Sequence, residues 1–67
     1  MLKFKTDVLK LLKDAGYSTY RLRKEKIIGE ATIQRIREYT IPSLDNLDWL
    51  CATLQLQPED LIEYVDE

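Results

Sequence analysis

A chain of 67 residues with one cysteine and no histidine cannot close its fold with an internal disulfide or a histidine-cysteine zinc site. At this length, where a single core just suffices, stability must come from apolar side chains packed on one another. They are plentiful: 45% of the residues are hydrophobic and 33% charged, with two glycines and two prolines. That balance belongs to a folded, helix-rich chain, not to a disordered or collagen-like one. Residues 1–67 are therefore read as one domain, too small for an enzyme with its own lid and deep cleft. No apolar run approaches the length of a membrane span, and residues 1–4 are too short and too charged for a signal peptide, so a cytoplasmic location with no membrane partner is expected.

Apolar residues recur at helical spacing along the chain. Phe4, Val8, Leu11, Leu12 and Ala15 align on one side of a first helix, favoured at its start by Asp7 and stopped by Gly16. Without apolar–polar alternation, a strand is the poorer description of this stretch. Ser18 is placed to cap a second helix with Tyr20 and Leu22 in its interior, joined by the stems of Arg23 and Lys26. That helix must end before Gly29. Gly29 can serve as N-cap of a third helix beginning at Glu30, whose acid suits the helix dipole and whose Ile33 and Ile36 form a narrow buried stripe. Pro42 interrupts the chain, and Ser43 caps a fourth helix with Leu44, Leu47, Leu50, Cys51 and Leu54 facing inward. Gln57 and Pro58 break it, and Pro58 opens a fifth helix carrying Leu61, Ile62 and Val65. The expected fold is all-α, a compact five-helix bundle in which helices too short to persist alone share one core.

Little in this pattern supports catalysis. Cys51 has no histidine to activate it and lies on the apolar stripe of the fourth helix, where it packs. Glu59, Asp60, Glu63, Asp66 and Glu67 lack the glycine-turned loop and alternating spacing of a calcium site and are better read as a solvated helix face. Gly16 and Gly29 are too far apart for a phosphate-cradling loop. No enzymatic activity, cofactor or metal is expected.

Charge says more. The net of −2 conceals ten cations against five acids in residues 1–39, a net of +5, and seven acids with no cation in residues 40–67. A positive field confined to one face attracts phosphates despite an acidic total; the alternative is an ordinary surface whose charges happen to segregate. The segment 18–38, a capped helix, a turn with Ile28 and Gly29 and a second short helix, is built to push that second helix into a DNA major groove. With about 100° per residue and Ile33 and Ile36 inward, its outward side shows Ala31, Gln34, Arg35 and Glu38, with Glu30 at the leading end. Glutamine pairs with adenine and arginine with guanine, each through two hydrogen bonds, and a residue as small as Ala31 permits close approach. Glu30 either accepts from cytosine or stabilises its own helix end. Arg21, Arg23, Lys24 and Lys26 surround the motif as candidate phosphate partners. Trp49 and Tyr64 are either packing residues or part of a partner surface.

The order Gly16, Ser18, Leu22, Ile28, Thr32-Ile33, Ile36, then Ser43, Leu44, Leu47, Leu50, Leu54, then Pro58, Asp60, Leu61 resembles the Cro/repressor-type (Xre) helix-turn-helix regulators over about residues 4–65. The resemblance implies a lambda-repressor-like DNA-binding domain whose second and third helices form the motif. It assigns base contacts to Glu30, Ala31 and Arg35, and a phosphate contact to Thr19. The chain departs from many members with Arg23 in place of alanine, Ile27 in place of a turn glycine, Arg37 in place of glutamate and Tyr39 in place of glycine. The expectation is a transcriptional regulator of repressor type binding double-stranded DNA, as a homodimer because one small motif buries too little for strong specificity. A protein-interaction module of antitoxin-like or adaptor type, docking a partner through the acidic C-terminal half, is the alternative from another class.

Overall fold

The computed structural model describes residues 1–66; Glu67, one of the seven C-terminal acids, lies outside the described residues. The elements run β1 (Leu2–Phe4), α1 (Val8–Asp14), α2 (Thr19–Lys24), α3 (Glu30–Arg37), α4 (Leu44–Leu54), α5 (Pro58–Leu61) and β2 (Ile62–Tyr64). Among the described residues five helices form as expected, and each start has a local cause. Asp7 Oδ1 accepts from the Lys10 N–H at 3.2 Å, Ser18 Oγ from Arg21 at 3.2 Å and Ser43 Oγ from Asn46 at 3.1 Å, each satisfying an N–H that the first helical turn leaves open. Gly29 is the N-cap of α3, and Pro58 opens α5. Gly16, with φ +95°, ends α1 by turning the chain where a side chain would be strained.

Among the described residues the nine buried ones are all apolar, and every helix supplies at least one: Val8 and Leu12, Leu22, Ile33 and Ile36, Leu47 and Leu50, and Leu61, with Phe4 from β1. Burying apolar area is the main favourable contribution to a fold like this, and no polar or charged residue among those described is buried to oppose it. Trp49 packs edge-on to Tyr17 at 5.9 Å between ring centroids, closing α4 against the α1–α2 connection.

Both chain ends depart from the helical expectation. Phe4 belongs to β1, not to the first helix, and Ile62 to β2, not to the fifth, with Val65 just beyond it. The two strands pair antiparallel in the register Leu2 with Tyr64, Lys3 with Glu63 and Phe4 with Ile62. Ile62, Tyr64 and Val65 are side chains that suit an extended backbone, and α5 stops after a single turn once β1 offers them hydrogen-bond partners. On its other edge β1 meets the residues after α3: Phe4 N–H donates to Tyr39 C=O at 3.0 Å, and Lys3 bridges Thr40. The small sheet therefore anchors the C-terminal end of α3.

Three inward assignments are also corrected. Tyr20 is 70% exposed, because Leu22 alone occupies the inner side of so short a helix. Leu44 is 80% exposed in the first turn of α4, on a side that no other element covers. Ala15 is exposed as the C-cap of α1. No helix among the described residues is long and apolar enough to cross a membrane.

Candidate nucleic-acid interface

Helix α2, the turn at residues 25–29 and α3 form the motif, and its geometry is set from within. Leu22 and Ile33 are both fully buried, pinning the two helices to the same core. Within the turn the backbone reverses at Lys26, whose φ of 54° is left-handed, one residue ahead of Ile27, the position the family resemblance assigned to glycine. The Ile27 N–H then donates to Leu22 C=O at 3.0 Å. Tyr39, just past α3, has φ 64°, the conformation that glycine would adopt without cost. A side chain there costs about 1–2 kcal/mol. The Tyr39 N–H to Ile36 C=O and Thr40 N–H to Arg35 C=O bonds, at 3.0 and 2.8 Å, hold it in place.

On α3, Ile33 and Ile36 face the core while Glu30, Ala31, Gln34, Arg35 and Glu38 are exposed. The exposed residues differ in how far they are committed elsewhere. Glu30 Oε1 lies 2.6 Å from Arg23 Nε, an ion pair joining the start of α3 to α2. Gln34 is braced along its own helix, donating to Glu38 Oε2 at 3.2 Å and receiving Arg37 Nη1 at 3.4 Å. Arg35 has no side-chain partner among the described residues, so its guanidinium can serve as a fork for an external acceptor.

The candidate phosphate partners divide similarly. Arg21 is exposed but engaged by the protein's own groups: Nε donates to Glu25 at 2.8 Å, Nη1 to Gly16 C=O at 2.9 Å, and the guanidinium lies 4.8 Å from the Tyr17 ring centroid. Its evident work is to fasten α2 to the end of α1. Lys24 lies 5.6 Å from the exposed Tyr20 ring, and Lys26 projects from the turn. Thr19, at the start of α2, is half-buried and lines a cleft together with Lys10, Lys13 and Arg37. None of these three cations is among the phosphate partners expected from the sequence, since only folding brings α1 beside the end of α3. No group of three candidate metal ligands is gathered among the described residues.

A family model described as a Cro/C1-type HTH DNA-binding domain matches residues 8–67. The chain belongs to that family. No curated protein and no solved structure matches it. The Cro/C1-type family accounts for the helix order and makes this a DNA-binding domain of transcription-regulator type. β1 (Leu2–Phe4) lies ahead of the matched residues, so the strand that anchors the end of α3 is contributed from outside the Cro/C1-type match.

Proposed function

We propose that this Cro/C1-type chain acts as one unit, a non-enzymatic, sequence-specific regulator of repressor type that inserts α3 into the major groove of double-stranded DNA. The reading rests on one observation: the exposed side of α3 carries Ala31, Gln34 and Arg35 directly above the buried Ile33 and Ile36. Such a helix is held rigidly from below and offers a base-reading edge above. Lys24 and Lys26 flank it as phosphate contacts, while Arg23 both flanks it and pairs with Glu30. Occupancy of an operator groove excludes other proteins from it, the simplest physical route to repression. A homodimer reading half-sites about 34 Å apart supplies the area that one motif lacks.

Selection of duplexes from a random pool, followed by binding and sedimentation of the winners, tests this. Palindromic winners bound two chains to one duplex, with affinity falling steeply in salt, are expected. Equal affinity for selected and random duplexes at every salt concentration would end the proposal.

One observation favours a second role that can coexist with the first. Leu44 stands at the lip of a groove of about 470 Å³ lined also by Asp48, Cys51, Leu56 and Pro58. With no cation after Arg37, this side of α4 and α5 suits a basic amphipathic segment of a protein partner, as in an antitoxin-like or adaptor subunit. Leu44→Asp with Asp48→Lys should abolish capture of a lysine-rich amphipathic peptide and leave duplex affinity equal or higher; undiminished capture counts against the role. Asp60 is unsuitable for charge reversal, since its Oδ2 accepts from the Gln57 N–H at 2.9 Å and closes the start of α5.

A further inference from the structure

Glu30 opens α3, where the N–H groups of the first turn have no partner within the helix. Its carboxylate does not cap them: Gly29 gives the turn no side-chain bond, and among the described residues no N–H of α3 donates to Glu30. Instead Oε1 lies 2.6 Å from Arg23 Nε, the one polar contact between side chains of α2 and α3 among the described residues. The pair stays open to solvent, with the Glu30 side chain 70% and the Arg23 side chain 44% exposed. Oε1 is thus engaged, while Oε2 has no partner among the described residues. Together with Lys26, Ile28 and Gly29 the pair lines an open cleft of about 310 Å³ at the leading end of α3. Nothing stands over that approach, since even a methyl group added at Gly29 would meet no atom within 4 Å.

We propose that Arg23 is a positioning residue that sets Glu30 to read a cytosine at the leading end of α3. The proposal rests on the major-groove reading above. An exposed glutamate turns through many rotamers, and fixing it on a base weakens binding. A carboxylate brought between two rows of phosphates is also repelled. Arg23 offsets both effects, because its planar guanidinium holds the carboxylate before DNA arrives and balances its charge. What remains outward is a fixed acceptor, and the base edge that answers it in the major groove is the N4 amino group of cytosine. The N6 amino group of adenine fits less well, because N7 beside it is itself an acceptor and repels a carboxylate. Arg23 stands where many members of the family have alanine, a side chain that could hold no carboxylate, so the device belongs to this chain.

The test uses the full chain as wild type, Arg23→Ala, Glu30→Ala and the double variant. Both positions are exposed, and unchanged circular dichroism checks that each variant folds. Starting from a selected duplex, each base pair is replaced in turn and binding is read by fluorescence anisotropy. At one position the wild type should favour cytosine by about 5- to 20-fold, and Glu30→Ala should lose that preference alone. Arg23→Ala should shrink the same preference by about 2- to 10-fold, the penalty for fixing a side chain no longer held, and leave preferences at other positions intact. In the Glu30→Ala background, removing Arg23 should change no base preference. Uniform weakening of all duplexes by Arg23→Ala, with the cytosine preference intact, would make Arg23 a phosphate contact and overturn the proposal. So would a Glu30→Ala variant that keeps every preference of the wild type, or a favoured base other than cytosine at the position it affects. A wild type that binds selected and random duplexes equally fails the major-groove reading itself and this proposal with it. Preferences that are present but indifferent to Arg23 and Glu30 fail this proposal alone.

Discussion

Leu22→Ala is expected to remove a large part of the chain's folding stability. Leu22 is fully buried, the only core residue that α2 contributes. Removing a leucine side chain from such a site costs about 2–5 kcal/mol, transfer and cavity terms together. A chain this size has about 3–10 kcal/mol in total, at roughly 0.05–0.15 kcal/mol per residue. With a single cysteine there is no internal disulfide to compensate, and one side chain can remove most of that margin. The Ile27 N–H to Leu22 C=O bond is a main-chain contact that alanine keeps, so the effect comes from the emptied core alone. Urea unfolding followed by circular dichroism measures it. A midpoint shift equivalent to less than about 0.5 kcal/mol, the range of ordinary surface substitutions, would show that Leu22 does not anchor the core. Duplex affinity should fall only in proportion to the unfolded fraction and recover with low temperature or stabilising salts.

Arg35→Ala is expected to do the opposite: the fold survives and discrimination goes. The residue is exposed in the last turn of α3 and has no side-chain partner among the described residues, so truncation leaves no buried group unsatisfied and stability should change by less than about 0.5 kcal/mol. An arginine that holds a guanine through two hydrogen bonds contributes about 1–3 kcal/mol of preference over the wrong base. The ratio of affinities for selected and random duplexes should therefore shrink by about 5- to 150-fold, while affinity for random duplex changes little. Fluorescence anisotropy with both duplexes reads that ratio. If both affinities dropped together, with a shallower salt slope, Arg35 would be a phosphate contact and base reading would pass to Gln34 and Ala31. Gln34 is the weaker reader of the two, since Glu38 and Arg37 must release it before it can pair with a base.

The parts of this molecule legible from the sequence are those governed by a few consecutive residues. Asp7, Ser18 and Ser43 cap helices because their oxygens reach an N–H three residues ahead, whatever the rest of the chain does. Gly29 and Pro58 mark helix starts for similarly local reasons, and the spacing of Ile33 and Ile36 assigned the outer side of α3 before any neighbour was known. The base-reading candidates followed from that rotation and from the side-chain types it turned outward. Their roles could not be ranked, because the Arg23–Glu30 pair and the bracing of Gln34 distinguish Glu30, Gln34 and Arg35 only once two elements meet or a helix surface is populated.

Contacts between distant residues lay beyond such reasoning. β1 pairs with β2 across almost the full length of the chain, and neither three-residue strand carries a periodicity long enough to betray it. Phe4, Ile62 and Val65 match helical spacing equally well until a partner backbone appears. Leu44 lies on the apolar stripe of α4 yet faces outward, because burial depends on what arrives opposite. Arg21 looks like a phosphate ligand until Gly16, Tyr17 and Glu25 surround it, and Lys10 and Lys13 look like solvated surface until Arg37 is folded beside them. Backbone chemistry within a turn or two thus settled where the helices begin and which way α3 points. Packing between segments far apart in the chain settled which charges are free and where they gather, because those properties belong to pairs of elements and not to either one alone.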